Sequence, residues 1–529
     1  MRYSMLLFLA IIGIACASGN HSGSVTPVAV AADDDDLQTQ SPNTTIQGFT
    51  PVEGADLMAR LDAAQARGRS RQTPYWSAYT FDVRPGVAID PAIREFNGTM
   101  NTMGDTSVFI GTTTAGVTVE TRNLAIFLLR DPASNQITRM EVYNLERKRE
   151  YSGYPVYWMG RANNEESLNY LRALAAAAPL DMLSERAVLG IALHDDARVA
   201  GMLKNFVSTS PNQRIRSSSV YWLGQVGGES TFLASLVRSE TEGKEIRRAA
   251  AHAIGQSRER GTIPTLQSLY QEVKDPEIRR SVISAAGNSP DEQPAWTFLI
   301  GIAKNDADFE SRRTAVRRLG DFKRDDAADE IIKIYNAEAN IEVKRAALRS
   351  LAETKNPRGQ ARLLEIARTE QNPELRKSAI RVMSDRGEAA VDDLLKLYDS
   401  EQSADVKRSI LQTLSDIKST RVEDKLFEVA KGNDTMEVRR QAIRLLGERV
   451  SKRSFEFLSA TAQSTDGNAE VQVQAVRAIS ERRADEAVPI LIKIARTHPN
   501  QLVRKQAIRS LGESGDPRAI DFFKEVLSK

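Results

Sequence analysis

An apolar residue followed by basic ones recurs at nearly constant spacing through the C-terminal two-thirds of the chain, at Ile215, Ile246, Ile278, Ser311, Val343, Leu375, Val406, Val438, Val471 and Val503. The successive steps are 31, 32, 33, 32, 32, 31, 32, 33 and 32 residues. Ser311 loses the apolar anchor but keeps Glu310 before it and Arg312 and Arg313 after it, and Leu183 extends the register one step towards the N-terminus. A fixed period of this length is the mark of a stack of small supersecondary units, none of which can bury its own apolar face. Each unit holds two helices. Around Val438 the apolar positions Val438, Ala442, Ile443 and Leu446 share one helical face, ending at Gly447, which reads as a C-terminal cap. Ala487, Val488, Leu491, Ile492 and Ala495 form the face of a partner helix, and Asp275-Pro276, Asn372-Pro373, His498-Pro499 and Asp516-Pro517 punctuate the joins.

The pattern Glu-Val-Arg-Arg-x-Ala-Ile-Arg-x-Leu-Gly at Glu437 to Gly447, nearly repeated at Glu245 to Gly255, resembles HEAT repeats of the phycobilin-lyase-like subgroup. The resemblance implies a mostly α fold, an α-solenoid of two-helix HEAT-like repeats, here with a small N-terminal β-rich domain. It says little about function, because such repeats serve scaffolds and enzymes alike. One enzymatic relative, deoxyhypusine hydroxylase, holds two irons through His-Glu pairs. His194, His252 and His498 are followed here by Asp195, Ala253 and Pro499, so those ligands have no counterpart. No metal, cofactor or catalytic residue is expected. The alternative is an enzyme or enzyme-accessory protein of the hydroxylase or phycobilin-lyase kind, lacking the iron-binding pairs.

The organisation expected is a signal peptide over 1–17 (1–15 if of lipoprotein type), a tether over 18–48, a helix plus β-rich domain over 49–150, an N-terminal cap over 151–164, and an array over 165–529 of about eleven units plus a terminal helix. Met5 to Ala15 is apolar but too short to span a bilayer, which suits export. Ala15-Cys16-Ala17 has the spacing of ordinary signal cleavage, while Gly13-Ile14-Ala15-Cys16 resembles a lipobox that would attach lipid to Cys16, the sole cysteine. The mature protein is thus expected in the periplasm, tethered to a membrane as a lipoprotein, or secreted. Residues 18–47 carry few large apolar groups and the run Asp33 to Asp36. After a helix at Ala55 to Ala66, Tyr75 to Val83 alternates as a strand does, and Thr106 to Thr113, Gly116 to Arg130 and Gln136 to Leu145 continue as an antiparallel meander. Val156-Tyr-Trp-Met-Gly160 echoes Val220-Tyr-Trp-Leu-Gly224 two periods later, which suggests the cap.

Lysine and arginine number 72 against 70 acids, so bulk charge does not point to nucleic acid. Local columns do carry information. Acids stand one residue before the anchors and cations one after, a pairing suited to helix starts and ladders between units. A third column, Arg313, Arg345, Lys377, Arg440 and Lys505, is followed four residues later by Arg317, Arg349, Arg381, Arg444 and Arg509. Each pair shares a helix face opposite the apolar positions. In HEAT-like superhelices the second helix lines the concave side, so these ten residues are the expected groove for a protein or peptide partner, acidic in character. Gln412 and Val473 interrupt the stripe.

Overall fold

The computed structural model describes residues 48–89, 96–103, 106–113, 121–177, 181–257, 259–465 and 468–528. The signal segment, Cys16 and nearly all of the tether lie outside them. Two compact units divide the chain: residues 83–85 and 168–529 in one, the rest in the other.

The smaller unit is built on strands β1 (Thr50–Pro51), β2 (Tyr75–Thr80), β3 (Ala88–Ile89), β4 (Phe96–Met103), β5 (Thr106–Thr113), β6 (Leu124–Arg130), β7 (Ile137–Asn144) and β8 (Val156–Arg161), with helix α1 (Leu57–Arg71) between β1 and β2. They form a five-stranded sheet in the order β1-β8-β2-β6-β7 and a three-stranded sheet β3-β5-β4. The expected meander is corrected: β6 and β7 pair antiparallel, but β5 belongs to the other sheet, between β3 and β4. In the five-stranded sheet β8 lies between β1 and β2 and runs parallel to both. Val156–Arg161, within the segment expected as the N-terminal cap, is a strand of this sheet and belongs to the smaller unit. Pro155 explains the difference. It holds Tyr154 extended, so no helical turn can lead into the aromatic run, which instead fills the slot beside β2. Trp76, Phe127, Tyr143 and Trp158 pack on one face of this sheet, with Phe49 and Tyr151 closing over them. Tyr75 and Tyr157 pack on the other with Val52 and Ala64. The aromatic strand is therefore core on both faces. Of the segment expected as a strand over 116–130, β6 forms the C-terminal part and 116–120 lies outside the described residues.

The larger unit is the array. Helix pairs run from Asn164–Ala177 and Asp181–Ala192 to Ala484–Thr497 and Gln501–Glu513, followed by Pro517–Leu527. All ten anchors lie in second helices and are buried. The second helices form the more tightly packed of the two layers. A column of small residues nine positions after the anchor makes this closeness available. A Cβ built on Gly255 would stand 2.1 Å from the Ala285 carbonyl oxygen, and one on Gly447 would stand 2.8 Å from the Ala478 Cβ. Gly447 is thus a packing glycine inside the helix Met436–Glu448, correcting its reading as a cap.

Candidate binding face on the second helices

Register on this face is set by a side-chain cap. Asn212, Asp275, Asp308, Asn340, Asn372, Ser403, Asn468 and Asn500 all stand three residues before an anchor. Each accepts a hydrogen bond from the backbone N–H two or three residues on. Because every helix starts at the same place, each later position forms a row across the stack.

The cation one residue after the anchor is structural. Arg312 donates to Glu338 of the next unit at 2.8 Å and to the Asp306 carbonyl oxygen at 2.8 Å. Arg376 pairs with Glu401 and donates to the Ala367 carbonyl at 3.2 Å, and Lys407 meets Asp434 at 2.6 Å. These acids belong to the loops between first and second helices, where Glu338 and Glu401 also accept N–H groups at the next helix start. In alternate units a tyrosine joins the pair. Tyr270 donates to Asp306 beside Arg279, and Tyr398 donates to Asp434 at 2.8 Å beside Lys407. Tyr335 donates to Glu370 at 2.8 Å, with Lys344 over its ring. Burial and the acid raise all three phenols, Tyr270 to about 12. Sequence reasoning misses this acid column because its position drifts by one residue against the anchor and alternates between Asp and Glu.

The ten stripe residues separate into two groups. Arg313 pairs with Glu310 at 2.6 Å, Lys377 with Glu374 at 3.1 Å, and Arg345 with both Glu342 at 2.8 Å and Glu374 at 3.4 Å. Arg440 reaches Glu470 at 3.6 Å, Arg444 pairs with Glu448, and Arg509 with Glu513 at 2.9 Å. The acids before the anchors thus neutralise much of the expected stripe. Arg317, Arg349 and Arg381 are different. They are exposed, occupy the same position on three successive second helices, and have neither hydrogen bond nor ion pair from their side chains among the described residues. Burial, then Arg313 and Arg349, lower the Arg317 guanidinium from its ordinary value, outweighing Glu310 and Glu353, which raise it. Burial and Asp321 raise the Glu353 carboxyl despite Arg349 beside it. Lys505 is likewise exposed, with no side-chain partner among the described residues, at the far end of the face.

There the face deepens into two adjoining grooves. One, of about 350 Å³, is lined by Arg440, Val473, Arg477, Lys505 and Arg509. The other, of about 550 Å³, is lined by Arg477, Ser480, Gln506, Arg509 and Glu513. Val473, read in sequence as an interruption, is part of the first groove. Arg477 lines both and stands six residues after Val471, so the row itself could have found it. At the opposite end the same row holds Tyr221, His252 and Ser284. Burial, Arg318 and Arg248 lower the His252 imidazole. Among the described residues no group of three or more His, Cys, Asp or Glu side chains is gathered as for a metal ion, and no helix is long and apolar enough to cross a membrane.

Residues 230–308, 296–384 and 458–529 match the family model of HEAT repeats. The first match contains the Glu245 to Gly255 segment, and the array is made of HEAT-like repeats. No curated protein matches the chain. Solved structures similar to it include Kap121p, at 12% identity and TM-score 0.36 over 69% of this chain and 47% of that one. Kap95p matches at 10% identity and TM-score 0.37, over 69% and 56%. The complex of CpcE and CpcF of phycocyanin lyase from Nostoc sp. PCC7120 matches at 18% identity and TM-score 0.25, over 46% and 92%. The chain spans about half the length of the two Kap proteins.

Proposed function

We propose that this chain is an exported, non-catalytic scaffold that holds an acidic segment of a protein partner on the inner, concave face of its second helices. The observation that carries the reading is the row Arg317, Arg349 and Arg381, exposed and without side-chain partners among the described residues, in an array where most of the neighbouring stripe cations are paired within or between units. None of the three makes an ion pair among the described residues, and a bound carboxylate row would supply charge-assisted, bidentate hydrogen bonds to them. Export rests on the apolar segment Met5 to Ala15, and attachment to a membrane on lipid at Cys16.

The test is capture from envelope extract by the mature protein and by an R317E/R349E/R381E variant. Partner retention should fall at least tenfold in the variant while its thermal unfolding is unchanged, and equal retention would overturn the reading. The mass of the mature N-terminus decides the anchor: a diacylated chain starting at Cys16 supports it, and a start beyond Cys16 excludes it.

A further inference from the structure

The arginine row also constrains the shape of what it binds. Arg317, Arg349 and Arg381 each stand six residues after an anchor, on second helices packed side by side. Packed helices lie about 8–10 Å apart, so the three guanidinium groups recur at about that interval along a line crossing the helices. Acids flank the line on both sides. Glu310, Glu342 and Glu374, which pair with Arg313, Arg345 and Lys377, stand seven residues before the row, and Asp321, Glu353 and Asp385 four residues after it. Where the rise is about 1.5 Å per residue, as from Glu342 to Glu353, the lane between acids is about 16 Å wide, with Arg349 about 6 Å from its nearer edge.

We infer that the acidic segment held by this face is a polyproline-II stretch with a carboxylate at every third residue, lying across the helices along Arg317, Arg349 and Arg381. This rests on the acidic-partner reading above and adds spacing and conformation to it. Polyproline II has three residues per turn and rises about 3.1 Å per residue, so side chains three apart lie on one side and repeat at about 9.3 Å. A β-strand fails, because residues three apart point to opposite faces, and those two or four apart repeat at about 6.6 or 13 Å. An α-helix with acids seven apart repeats at about 10.5 Å, beyond the interval of about 8–10 Å between packed helices, so its acids fall out of step along the three arginines. The polyproline-II repeat stays in step with them. Its backbone needs no hydrogen-bonding partner, so proline suits the positions between the acids.

Fluorescence anisotropy of labelled peptides against the full mature chain tests this. One peptide carries three glutamates at every third position among prolines. A second has the same composition with glutamate at every fourth position. A third is an alanine-rich helix with glutamates seven apart. The first should bind at least tenfold more tightly than the others, and R317E/R349E/R381E should abolish its binding. If all three bind equally and the variant binds none, the acidic-partner reading stands and the spacing inference falls. Tighter binding of the helical peptide overturns the conformation. Absence of binding, or binding that the triple variant keeps, overturns both.

Discussion

Gly255 lies so close to Ala285 of the next second helix that a Cβ on it would fall 2.1 Å from that residue's carbonyl oxygen, whereas Gly512, in the same column, has nothing within 4 Å. The two glycines are alike in sequence and opposite in consequence. At Gly255 a methyl group must push two helix backbones apart, and backbone cannot yield as a side chain can. Gly255→Ala should therefore destabilise the array by about 3 kcal/mol, at the upper end of overpacking costs. Gly512→Ala relieves only the entropy of glycine in a helix and should stabilise by up to about 0.5 kcal/mol. Urea unfolding followed by circular dichroism distinguishes them, and equal shifts would contradict the packing role.

A second contrast separates the two kinds of arginine. The side chains of Arg312 and Glu338 retain 17% and 7% of their exposure, so removing the cation strands a nearly buried carboxylate. Burial pushes that carboxyl up, but Arg312 and the Asn340 N–H outweigh it and hold it below its ordinary value. Arg312→Ala should cost about 2–3 kcal/mol, somewhat less than for a fully buried pair. Arg349→Ala, with no partner to strand, should fall within about 0.5 kcal/mol of wild type. If both variants unfold at the same urea concentration, the division between ladder and binding row is wrong.

The period was legible because side-chain caps, Asn or Asp in most units and Ser403 in one, hold second helices to one starting position, and a helix that always starts at the same place repeats its side chains in register. The columns beside the anchor were legible for the same reason. What they do was less so, since Arg313 and Arg317 differ by one turn of helix and only the position of Glu310 makes one paired and the other open. The sheet resisted for a different cause. Val156 to Gly160 and Val220 to Gly224 share most of their letters, and the neighbours of each decide the outcome: Pro155 and an open slot beside β2 for one, a capped helix beginning at Gln213 for the other. Strand order depends on such long-range pairings, which leave no local trace in sequence.

The tyrosines of alternate units give a spectroscopic handle. Tyr270, Tyr335 and Tyr398 each donate to a loop carboxylate, and ionising them would set phenolate against carboxylate. Their folded-state values lie above the unfolded value near 10, so the stability they lend is complete below pH 10 and is lost as pH rises from there towards the folded values. Absorbance near 295 nm should show a class of tyrosines that stays protonated above pH 11 until the array unfolds. Each Tyr→Phe change should remove one tyrosine from that class and cost about 1.5–3 kcal/mol at neutral pH, as for a hydrogen bond to a charged acceptor. Ordinary titration of all tyrosines near pH 10 in the folded protein would refute the arrangement.

His194 makes the acid side of the stability curve specific. It is buried, its Nδ1 lies 2.7 Å from the Gly190 carbonyl oxygen, and its backbone bridges to Val83. Burial outweighs that hydrogen bond and the nearby Asp196, lowering the imidazole to about 4. The unfolded chain takes up a proton near pH 6.5 and the folded one does not until about pH 4, so between these values the unfolded state holds more protons and stability falls as pH falls. The stabilisation is fully present above pH 6.5 and has been lost by pH 4. A displacement of about 2.5 pH units corresponds to about 3 kcal/mol across that window. His252, also lowered, adds in the same direction. Replacing His194 with asparagine should lower stability at pH 7 and flatten the dependence between pH 6.5 and 4, leaving the steeper loss at lower pH, where Asp516 and the other paired carboxylates protonate. Urea midpoints of both proteins at half-unit pH steps measure the difference directly, and parallel curves would show that His194 titrates as an ordinary histidine.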